Sequence, residues 1–304
     1  MTTLSADDVT VVIPVHGPQP WLDEAIASAR LDRPAEVILV ENGSERVDGG
    51  ALPDGVRLLR FGAIGRSRAR NEGVAAARTP YVAFLDADDR TLPGRLPRQR
   101  DALVANPGAA LCCSCVEAID SDGAVIAGES TREHERFSAL LARGFSVESL
   151  LVDCAIYTSG TLVRRDHFLA AGGFDREIDA YEDLDLYLRL ADRWQIVAVN
   201  STPLAQHRRH GSNTASHALY EGALHVSRKH LASGVERTPG RRRALLLERR
   251  VDSLWGLGDL SGARRAALRA ARDEPALLRH ARFRKRLVAS LLPTAFVTSL
   301  RRIR

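Results

Sequence analysis

A cluster of aspartates directly after an apolar run is the feature of this sequence most suggestive of chemistry. Asp86, Asp88 and Asp89 follow the run Tyr81–Leu85. A short apolar run without alternation is typical of a strand buried on both faces, so these carboxylates fall at the carboxyl end of a strand in a parallel sheet. Ligands of open α/β sheets bind beyond such ends. Carboxylate oxygens suit Mg²⁺ or Mn²⁺, so Asp86 and Asp88 could face one cation together with a phosphate-bearing ligand.

An Asp-x-Asp pair is a weak signal by itself, and the polar strand end could instead cap the following helix. The chain contains two further pairs of this kind. Asp120 and Asp122 stand before a glycine between apolar runs, which predicts a hairpin turn. Asp183 and Asp185 belong to the acidic run Tyr181–Asp185, which predicts a helix start where the dipole favours acids. A positioned carboxylate there could equally be the general base that an acceptor hydroxyl needs.

Loops after the first two predicted strands could hold a nucleoside beside the aspartates. The runs Val9–Ile13 and Val37–Val40 predict buried strands, and they are followed by Pro14–Gly17 and Glu41–Ser44. In a parallel sheet these loops open at the same edge as the aspartates. Small residues and backbone groups suit a flat base and ribose, and the Glu41 carboxylate could accept from a base N–H or a ribose hydroxyl. A plain turn at Glu41–Ser44 is the alternative.

Two arginines near a predicted helix start could bind a diphosphate. The segment Gly65–Gly73 carries Arg66 and Arg70, which are four residues apart and therefore share a helix face. Helix N-termini and arginine side chains both favour phosphate groups. A solvated basic face is the alternative interpretation of the same pair.

Composition and element order indicate the fold class. A chain of 304 residues with 45% hydrophobic and 27% charged residues is typical of a globular protein with one large domain, with or without a smaller addition. The predicted order β-α-β-β-α-β up to Leu85 favours an α/β fold with a mainly parallel sheet. No signal peptide or membrane span is evident, so we expect a cytoplasmic protein. Cysteines 112, 113 and 115 share an apolar stretch, which indicates reduced thiols on a core strand.

Charge divides the chain into two regions. Residues 228–304 carry 20 Lys or Arg and 6 Asp or Glu, whereas residues 1–227 carry 23 and 32. The pattern is almost entirely helical from about residue 215 onward. The basic helices could pack on the first region with solvated arginines, or they could form a surface that sits on anionic lipid. Nucleic acid is the least favoured partner, because the basic residues are not interleaved with aromatic ones.

Seven short segments stand in order across about residues 9–215. They are Ile13–Gly17, Val40–Ser44, Ser67–Arg78, Phe84–Asp89, Gly172–Asp175, Glu182–Leu186 and Arg208–Ser212. Each segment is weak alone, but the ordered set resembles that of the family 2 glycosyltransferases. The resemblance implies a GT-A fold, which is Rossmann-like with a mainly parallel central sheet flanked by helices. It implies a catalytic domain over 1–215, with a nucleotide-binding half of about 9–108 and an acceptor half of about 109–215, followed by a basic helical region over 216–304.

The resemblance implies an inverting, hexosyltransferase-type enzyme. The donor would be a UDP-, GDP- or dTDP-sugar, and the acceptor would be a sugar or lipid-linked hydroxyl of a polysaccharide precursor. Asp183 would be the base, and Asp88, with Asp86 near the ribose, would hold Mn²⁺ or Mg²⁺. His210, with Arg209, would reach the metal or the diphosphate from a closing loop. The residues expected at the donor are Pro14, Val15, His16, Glu41, Asn42, Arg66, Arg70, Asn71, Asp86 and Arg209.

One departure from the family pattern concerns the donor nucleotide. The family commonly has two aspartates before Gly43–Ser44, where this chain has Glu41 and Asn42. Glu41 keeps the charge on a longer side chain, so the departure affects the identity of the nucleotide more than the activity. The alternative function is a non-catalytic nucleotide-sugar binding protein of the same fold. Contact of the basic helices with lipid would put the protein at the inner face of the cell membrane.

Overall fold

The aliphatic and β-branched runs form one eight-stranded sheet in the part of the chain that the computed structural model describes. The described residues are 6–47, 52–178, 180–210, 216–232 and 240–292. The strands are β1 (Ala6–Val15), β2 (Pro34–Glu41), β3 (Val56–Arg60), β4 (Tyr81–Phe84), β5 (Arg90–Thr91), β6 (Ala109–Ile119), β7 (Thr161–Arg164) and β8 (Gln195–Arg208). Their order across the sheet is β3-β2-β1-β4-β7-β6-β8-β5.

The first four strands run parallel and bring three loops to one edge. Val15 of β1 pairs with Glu41 of β2, and Val12 of β1 pairs with Phe84 of β4. The chain therefore leaves β1, β2 and β4 at neighbouring points of the same edge, as the sequence predicts. Beyond β4 the sheet becomes mixed, since β7 is antiparallel to both β4 and β6, whereas β6 and β8 are parallel.

Helices connect these strands and cover both faces of the sheet. Those of the first part are α1 (Leu22–Ala29), α2 (Arg66–Ala76), α3 (Arg95–Ala105), α4 (Ala127–Arg143), α5 (Val147–Val152), α6 (Arg165–Ala170) and α7 (Glu182–Ala191), with a 3₁₀ turn at Thr158–Gly160. The core consists of side chains such as Val11, Ile13 and Leu39, which are fully buried. Burial of such side chains stabilises the fold by about 25 cal/mol for each Å² of apolar surface.

Close packing of α2 on the sheet depends on Gly73. A Cβ atom at this position would lie 2.4 Å from Cγ1 of Val12 and 3.2 Å from Cγ2 of Val40. Only glycine leaves room for so close an approach of helix to strand. The packing also sets the position of Arg70, which lies almost one turn earlier on the same helix.

The turn after β6 and the cysteines agree with the sequence predictions. Ile119 forms an antiparallel bridge with Val125 across a tight turn, and Asp120 accepts a hydrogen bond from the backbone N–H of Asp122. The three cysteines of β6 are buried free thiols, and burial raises the pKa of Cys112 to about 12. They are therefore core residues.

Strand β8 extends well beyond the run Gln195–Val199 that begins it, which is the only part of the strand with a local strand pattern. In the structure β8 continues to Arg208 and pairs with β6 and β5 through shifts in register. Its second half contains Pro203 and polar residues without an apolar run, so no local pattern identifies it as a strand. The extension carries His207 and Arg208 to the edge of the sheet where the aspartates lie.

The chain divides into two compact units, Met1–Asn213 and Thr214–Arg304. The boundary predicted from the sequence, between residues 215 and 216, is two residues further on. The second unit consists of helices α8 (Ser216–Ala232), α9 (Gly240–Gly256), α10 (Leu260–Asp273) and α11 (Ala281–Leu291), with a 3₁₀ turn at Pro275–Arg279. It has an apolar cluster of its own, which includes Val251, Ala270 and Phe283. Among the described helices of the chain, none combines the length and the hydropathy needed to cross a bilayer.

Candidate active site

The loop after β4 presents two carboxylates at the edge of the sheet and uses a third to hold itself in place. Asp89 is buried, and it accepts hydrogen bonds from the Ser159 hydroxyl and, at 2.9 Å, from the backbone N–H of Arg208. The backbone N–H of Asp86 donates to Ser159 Oγ at 3.0 Å. The side chains of Asp86 and Asp88 remain 33% and 25% exposed. These two carboxylates are thus the ones that a ligand can reach.

Arg70 joins this acidic loop to the start of α7. Its Nη2 donates to Asp86 Oδ1 at 2.6 Å, and its Nη1 donates to Glu182 Oε1 at 2.7 Å. Burial alone would raise the pKa of Asp86, but the charge and hydrogen bond of Arg70 outweigh it and hold that pKa below its usual range. The sequence predicts a diphosphate contact for Arg70. The structure instead buries its side chain and places both terminal nitrogens on carboxylates.

Asp183 lies at the first turn of α7, directly after Glu182. It is half-buried and accepts a hydrogen bond from the backbone N–H of Leu184 at 2.7 Å. Burial and then the charge of Glu182 raise the pKa of Asp183 to about 7, and Asp86 acts in the same direction. Tyr181, just before the helix, has a left-handed φ of 64°, a strained conformation for a non-glycine residue. A carboxyl group with a pKa near neutrality is suited to general-base catalysis.

Asp88 and His210, two of the predicted metal ligands, contact each other. His210 Nε2 lies 2.7 Å from Asp88 Oδ2, and the His210 and Trp21 rings are 4.8 Å apart. Burial, together with the charges of Asp89 and Asp86, raises the pKa of Asp88. Among the described residues, no group of three or more His, Cys, Asp or Glu side chains could hold a metal ion. An ion bound here would need further ligands from substrate or water.

Arg208 holds the acidic loop in place. No sequence pattern identifies it as a residue of the site. Its side chain is fully buried, with Nε donating to the carbonyl of Asp88 at 2.8 Å. Its Nη1 donates to the carbonyls of Asp120 at 2.9 Å and Ser121 at 3.0 Å, and its Nη2 pairs with Glu24. The arginine belongs to a segment that the sequence does mark, but the pattern there does not distinguish a buried arginine from an exposed one.

Three further residues of the site, His207, Tyr157 and Ser159, are not identified by any sequence pattern. His207 Nδ1 lies 3.2 Å from Asp89 Oδ1, and its ring lies 4.8 Å from that of Tyr157. Burial would lower the pKa of His207, but the charge of Asp89 raises it above its ordinary value. Ser159 lies in a 3₁₀ turn without any distinctive local signal. His207 and Ser159 support the loop that carries Asp88 through their contacts with Asp89, and Tyr157 packs against His207.

Arg209 faces α4. Its Nε lies 2.9 Å from Glu129 Oε2, and its Nη2 lies 3.0 Å from Glu133 Oε1. The sequence predicts a contact of Arg209 with the donor, whereas the structure pairs this side chain with two glutamates. Gly211 and Ser212, which complete the same sequence segment, lie outside the described residues.

Four of the residues predicted at the nucleoside lie together where β1 and β2 end. The backbone N–H of Asn42 donates to the Val15 carbonyl at 2.9 Å, which extends the pairing of the two strands by one residue. His16 Nδ1 lies 3.1 Å from Asn42 Oδ1, so the side chains after the two strands contact each other. Pro14 pairs with Val40 within the sheet. The structure therefore brings these residues to the edge that also carries the acidic loop.

Glu41 has a different environment from the one that the sequence predicts. Its side chain is buried, and its Oε2 accepts from the backbone N–H of Val47 at 2.7 Å and from Arg60 Nη1 at 3.3 Å. The carboxylate predicted to accept from a base or ribose is thus engaged by its own loop and by β3.

The two predicted donor residues of α2 other than Arg70 have separate roles. Arg66 begins the helix, is exposed, and helps to lower the pKa of Asp86. Asn71 donates to the carbonyl of Phe174 at 2.8 Å and accepts from its N–H at 2.9 Å. A Cβ atom on Gly173 would lie 2.6 Å from Asn71 Oδ1. Asn71 therefore fixes the paired-glycine turn, and Arg66, unlike Arg70, has an exposed side chain.

Comparison with a family model identifies the class of protein to which this chain belongs, the glycosyltransferases. A family model described as "Glycosyltransferase like family 2" matches residues 10–223. The chain belongs to this family, so the resemblance inferred from the seven segments is confirmed.

Curated relatives are similar over the same region. The O-antigen biosynthesis protein RfbC of Myxococcus xanthus is 28% identical over 221 residues, which are 67% of this chain and 16% of that protein. The succinoglycan biosynthesis protein ExoU of Rhizobium meliloti (strain 1021) is 26% identical over 71% of this chain and 67% of its own length. The pre-mycofactocin glycosyltransferase of Mycobacterium tuberculosis is 31% identical over 61% of this chain and 39% of its own length. The chain thus spans only part of these relatives.

Solved structures of TarS from S. aureus share the fold. TarS 1-349 superposes with a TM-score of 0.60 at 13% identity, covering 97% of this chain and 92% of that chain. TarS 1-349 in complex with UDP-GlcNAc gives a TM-score of 0.57 at 12% identity, covering 93% and 90%. At this level of identity the likeness concerns the fold alone.

Proposed function

We propose that this chain is a metal-dependent, inverting glycosyltransferase that moves a sugar from a nucleotide-diphosphate donor to an acceptor hydroxyl. The observation that carries the proposal is the double ion pair of Arg70. Because Arg70 contacts both Asp86 and Glu182, it links the loop at the sheet edge to the helix that begins with Glu182 and Asp183. A nucleotide-binding edge and a carboxyl group suited to act as a base are thereby parts of one site.

The transfer step assigns Asp183 the role of general base. Its carboxylate takes the proton of the acceptor hydroxyl while the hydroxyl oxygen forms a bond to the anomeric carbon of the donor. The bond from that carbon to the diphosphate oxygen breaks on the opposite face, and its electron pair leaves with the nucleoside diphosphate. The pKa of about 7 supports this role, because a base is most effective when its pKa is near the working pH.

Carboxylate oxygens are the ligands that Mn²⁺ and Mg²⁺ prefer, which supports one of these ions as the metal of the site. Asp88 would be the main protein ligand, with Asp86 and His210 as further ligands. Burial and then the charges of Asp89 and Asp86 raise the pKa of Asp88, and a bound cation would stabilise these crowded carboxylates. Such ions commonly bind one or two carboxylates together with substrate phosphates and waters. When bound, the ion would stabilise the negative charge of the leaving diphosphate.

A UDP-sugar is the first donor to test, and the acceptor class follows from the relatives. TarS, whose fold the chain shares, binds UDP-GlcNAc, and RfbC and ExoU are named for O-antigen and succinoglycan biosynthesis. We therefore infer a precursor of a cell-surface polysaccharide, presented as a sugar or a lipid-linked sugar. GDP- and dTDP-sugars are also tested. Glu41 is bound by the backbone of Val47 and by Arg60, so it does not indicate which nucleotide base the donor carries.

The test measures donor binding and turnover together. UDP-, GDP- and dTDP-sugars are screened by thermal shift with Mn²⁺, with Mg²⁺ and with a chelator, and release of nucleoside diphosphate is then measured for each donor that stabilises the protein. Asp88→Asn should lose the metal-dependent stabilisation. Asp122→Asn is the matched control, since Asp122 belongs to an exposed Asp-x-Asp turn.

The outcomes separate the two functions. Metal-dependent binding with release of nucleoside diphosphate supports the transferase. Binding without release, over a broad panel of acceptors, would support the alternative of a non-catalytic nucleotide-sugar binding protein. Equal stabilisation of Asp88→Asn and Asp122→Asn by donor and Mn²⁺ would remove Asp88 from the metal site.

A further inference from the structure

The second unit contains a cavity of its own. It has a volume of about 660 Å³ and is lined by residues of α8, α9 and α10, together with Asp259. A cavity of this size is within the range of small-molecule sites in proteins. All of its lining residues belong to the second unit, so it is separate from the site formed by the acidic loop.

Positive charge dominates the lining. The arginines are Arg228, Arg243, Arg250, Arg265 and Arg269. Two carboxylates face them, Asp259 and Asp273, and both have other partners. Asp259 caps α10 by accepting from the backbone N–H of Gly262 at 2.7 Å. Asp273 lies 3.4 Å from Arg269 and 3.8 Å from Arg243 of the lining, and 3.1 Å from Arg272 outside it. The cavity therefore carries more cationic groups than its own carboxylates neutralise.

Arg250 is the arginine on which this excess charge acts most. Burial and then the charges of Arg228 and Arg269 lower the pKa of Arg250. Within the described part of the chain, its Nε is buried without a hydrogen-bond acceptor, and no carboxylate forms an ion pair with Arg250, Arg228 or Arg265. A buried N–H donor without an acceptor costs free energy, which a hydrogen bond to a bound anion would recover.

The rest of the lining is apolar. Leu231 of α8, Leu247 and Leu254 of α9, and Ala266 of α10 also face the cavity. Guanidinium groups match phosphate oxygens in geometry and charge, because two parallel N–H donors can reach one phosphate. Leucine and alanine side chains favour a hydrocarbon group instead. The two kinds of lining together suit a molecule with a phosphate at one end and an apolar group at the other.

We propose that this cavity, formed by α8, α9 and α10, binds an amphiphilic organic phosphate, which is a phosphate or diphosphate group attached to a hydrocarbon chain. The arginines around Arg250 hold the phosphate, and the leucines of α9 contact the chain. The site does not depend on the proposed sugar transfer, and its binding can be measured whether or not the chain is active.

The experiment titrates the full chain by calorimetry with three soluble probes: octyl phosphate, inorganic phosphate and octyltrimethylammonium. Octyl phosphate should bind at least tenfold more tightly than inorganic phosphate, and octyltrimethylammonium, which has the same chain and the opposite charge, should not bind. Arg250→Gln should weaken octyl phosphate binding at least tenfold. Arg264→Gln, an exposed arginine of α10 outside the cavity, should leave it within twofold.

Two results would overturn the proposal. One is equal weakening by Arg250→Gln and Arg264→Gln, which would indicate a general effect of charge. The other is equal affinity for octyl phosphate and inorganic phosphate, which would exclude a role for the apolar lining. Arg228→Gln is the second cavity variant and should weaken binding in the same way if Arg250→Gln does not fold.

Vesicles of phosphatidylglycerol then distinguish the source of the phosphate. Sedimentation at low salt that Arg250→Gln abolishes and Arg264→Gln preserves would identify a membrane lipid head group. Binding of octyl phosphate without any sedimentation would identify a soluble or individually presented organic phosphate. Both results support the shared chemistry, and sedimentation that both variants reduce equally would contradict a role of the cavity at the membrane.

Discussion

Adjacent carboxylates at the start of α7 have different environments, and this difference supports the different roles proposed for them. Glu182 is buried against Arg70, which makes it a structural anchor. Asp183 is half-buried and accepts a hydrogen bond only from the next backbone N–H among the bonds described, and its pKa is raised to about 7. The residue that suits a base is therefore the one without an arginine partner in the described structure.

The raised pKa of Asp183 predicts the pH dependence of turnover. A base must be ionised to accept a proton, so the fraction of active enzyme rises as the pH increases through about 7. We expect kcat to increase about tenfold for each pH unit well below 7 and to level off above pH 8. A profile measured at saturating donor and metal tests this. A kcat that is already constant from pH 5 upward would contradict the assignment of Asp183.

Arg70 should be essential to the stability of the site because it neutralises two carboxylates. Removing one partner of a buried ion pair costs about 3–5 kcal/mol, so Arg70→Met should lower the free energy of unfolding by that amount. Arg68→Met is the matched control on the same helix, where Arg68 and Glu72 form an exposed pair at 3.5 Å. Such pairs contribute only about 0–1 kcal/mol. Denaturant unfolding of both variants measures the difference, and equal losses would contradict the role of Arg70.

At the scale of elements, the sequence predicts most of the parallel half of the sheet, because β1, β2 and β4 each contain a short apolar run. It does not predict the second half of β8, whose pairing with β6 and β5 is made by strands distant in the chain. The same limit applies to the site. The sequence names Arg70 and Asn71, but their partners Glu182 and Phe174 are 112 and 103 residues away. Local spacing patterns in the sequence cannot predict contacts between residues so far apart in the chain.

Helix α2 provides a test of the packing that positions Arg70. Gly73→Ala introduces a Cβ atom 2.4 Å from Val12, and overpacking of this kind costs about 1–3 kcal/mol. Gly128→Ala in α4 is the control, because a Cβ atom there meets no atom within 4 Å. Alanine is the better helix former, so Gly128→Ala should be neutral or slightly stabilising. Thermal unfolding of both variants gives the comparison, and a stabilised Gly73→Ala would contradict this account of the packing.

At the scale of the whole molecule, two chemically different sites lie in two compact units. The first unit presents carboxylates at a sheet edge, and the second has a cavity between helices that is lined by arginines. The charge division seen in the sequence thus corresponds to a division in the ligands that each unit suits. The sequence predicts the basic region and its helices, but it cannot show which arginines share a cavity.

Hydrogen exchange can test this division directly. A nucleotide-sugar donor with Mn²⁺ should slow amide exchange in the loops after β1, β2 and β4 and leave α9 unchanged, because ligand binding protects the residues that it contacts. Octyl phosphate should slow exchange in α9 and leave those loops unchanged. Protection of α9 by the donor and of the loops by octyl phosphate would contradict the assignment of the two sites.

In the proposed reaction, Asp183 removes the proton of the acceptor hydroxyl during sugar transfer. The most direct measurement is the single-turnover rate of nucleoside diphosphate release, with saturating donor, Mn²⁺ and acceptor at pH 8, for the unmodified chain, Asp183→Asn and Asp122→Asn. Loss of a general base lowers rates by about 10²–10⁴-fold, so Asp183→Asn should fall by at least a hundredfold while Asp122→Asn stays unchanged. Release by Asp183→Asn at the rate of the unmodified chain would contradict the claim.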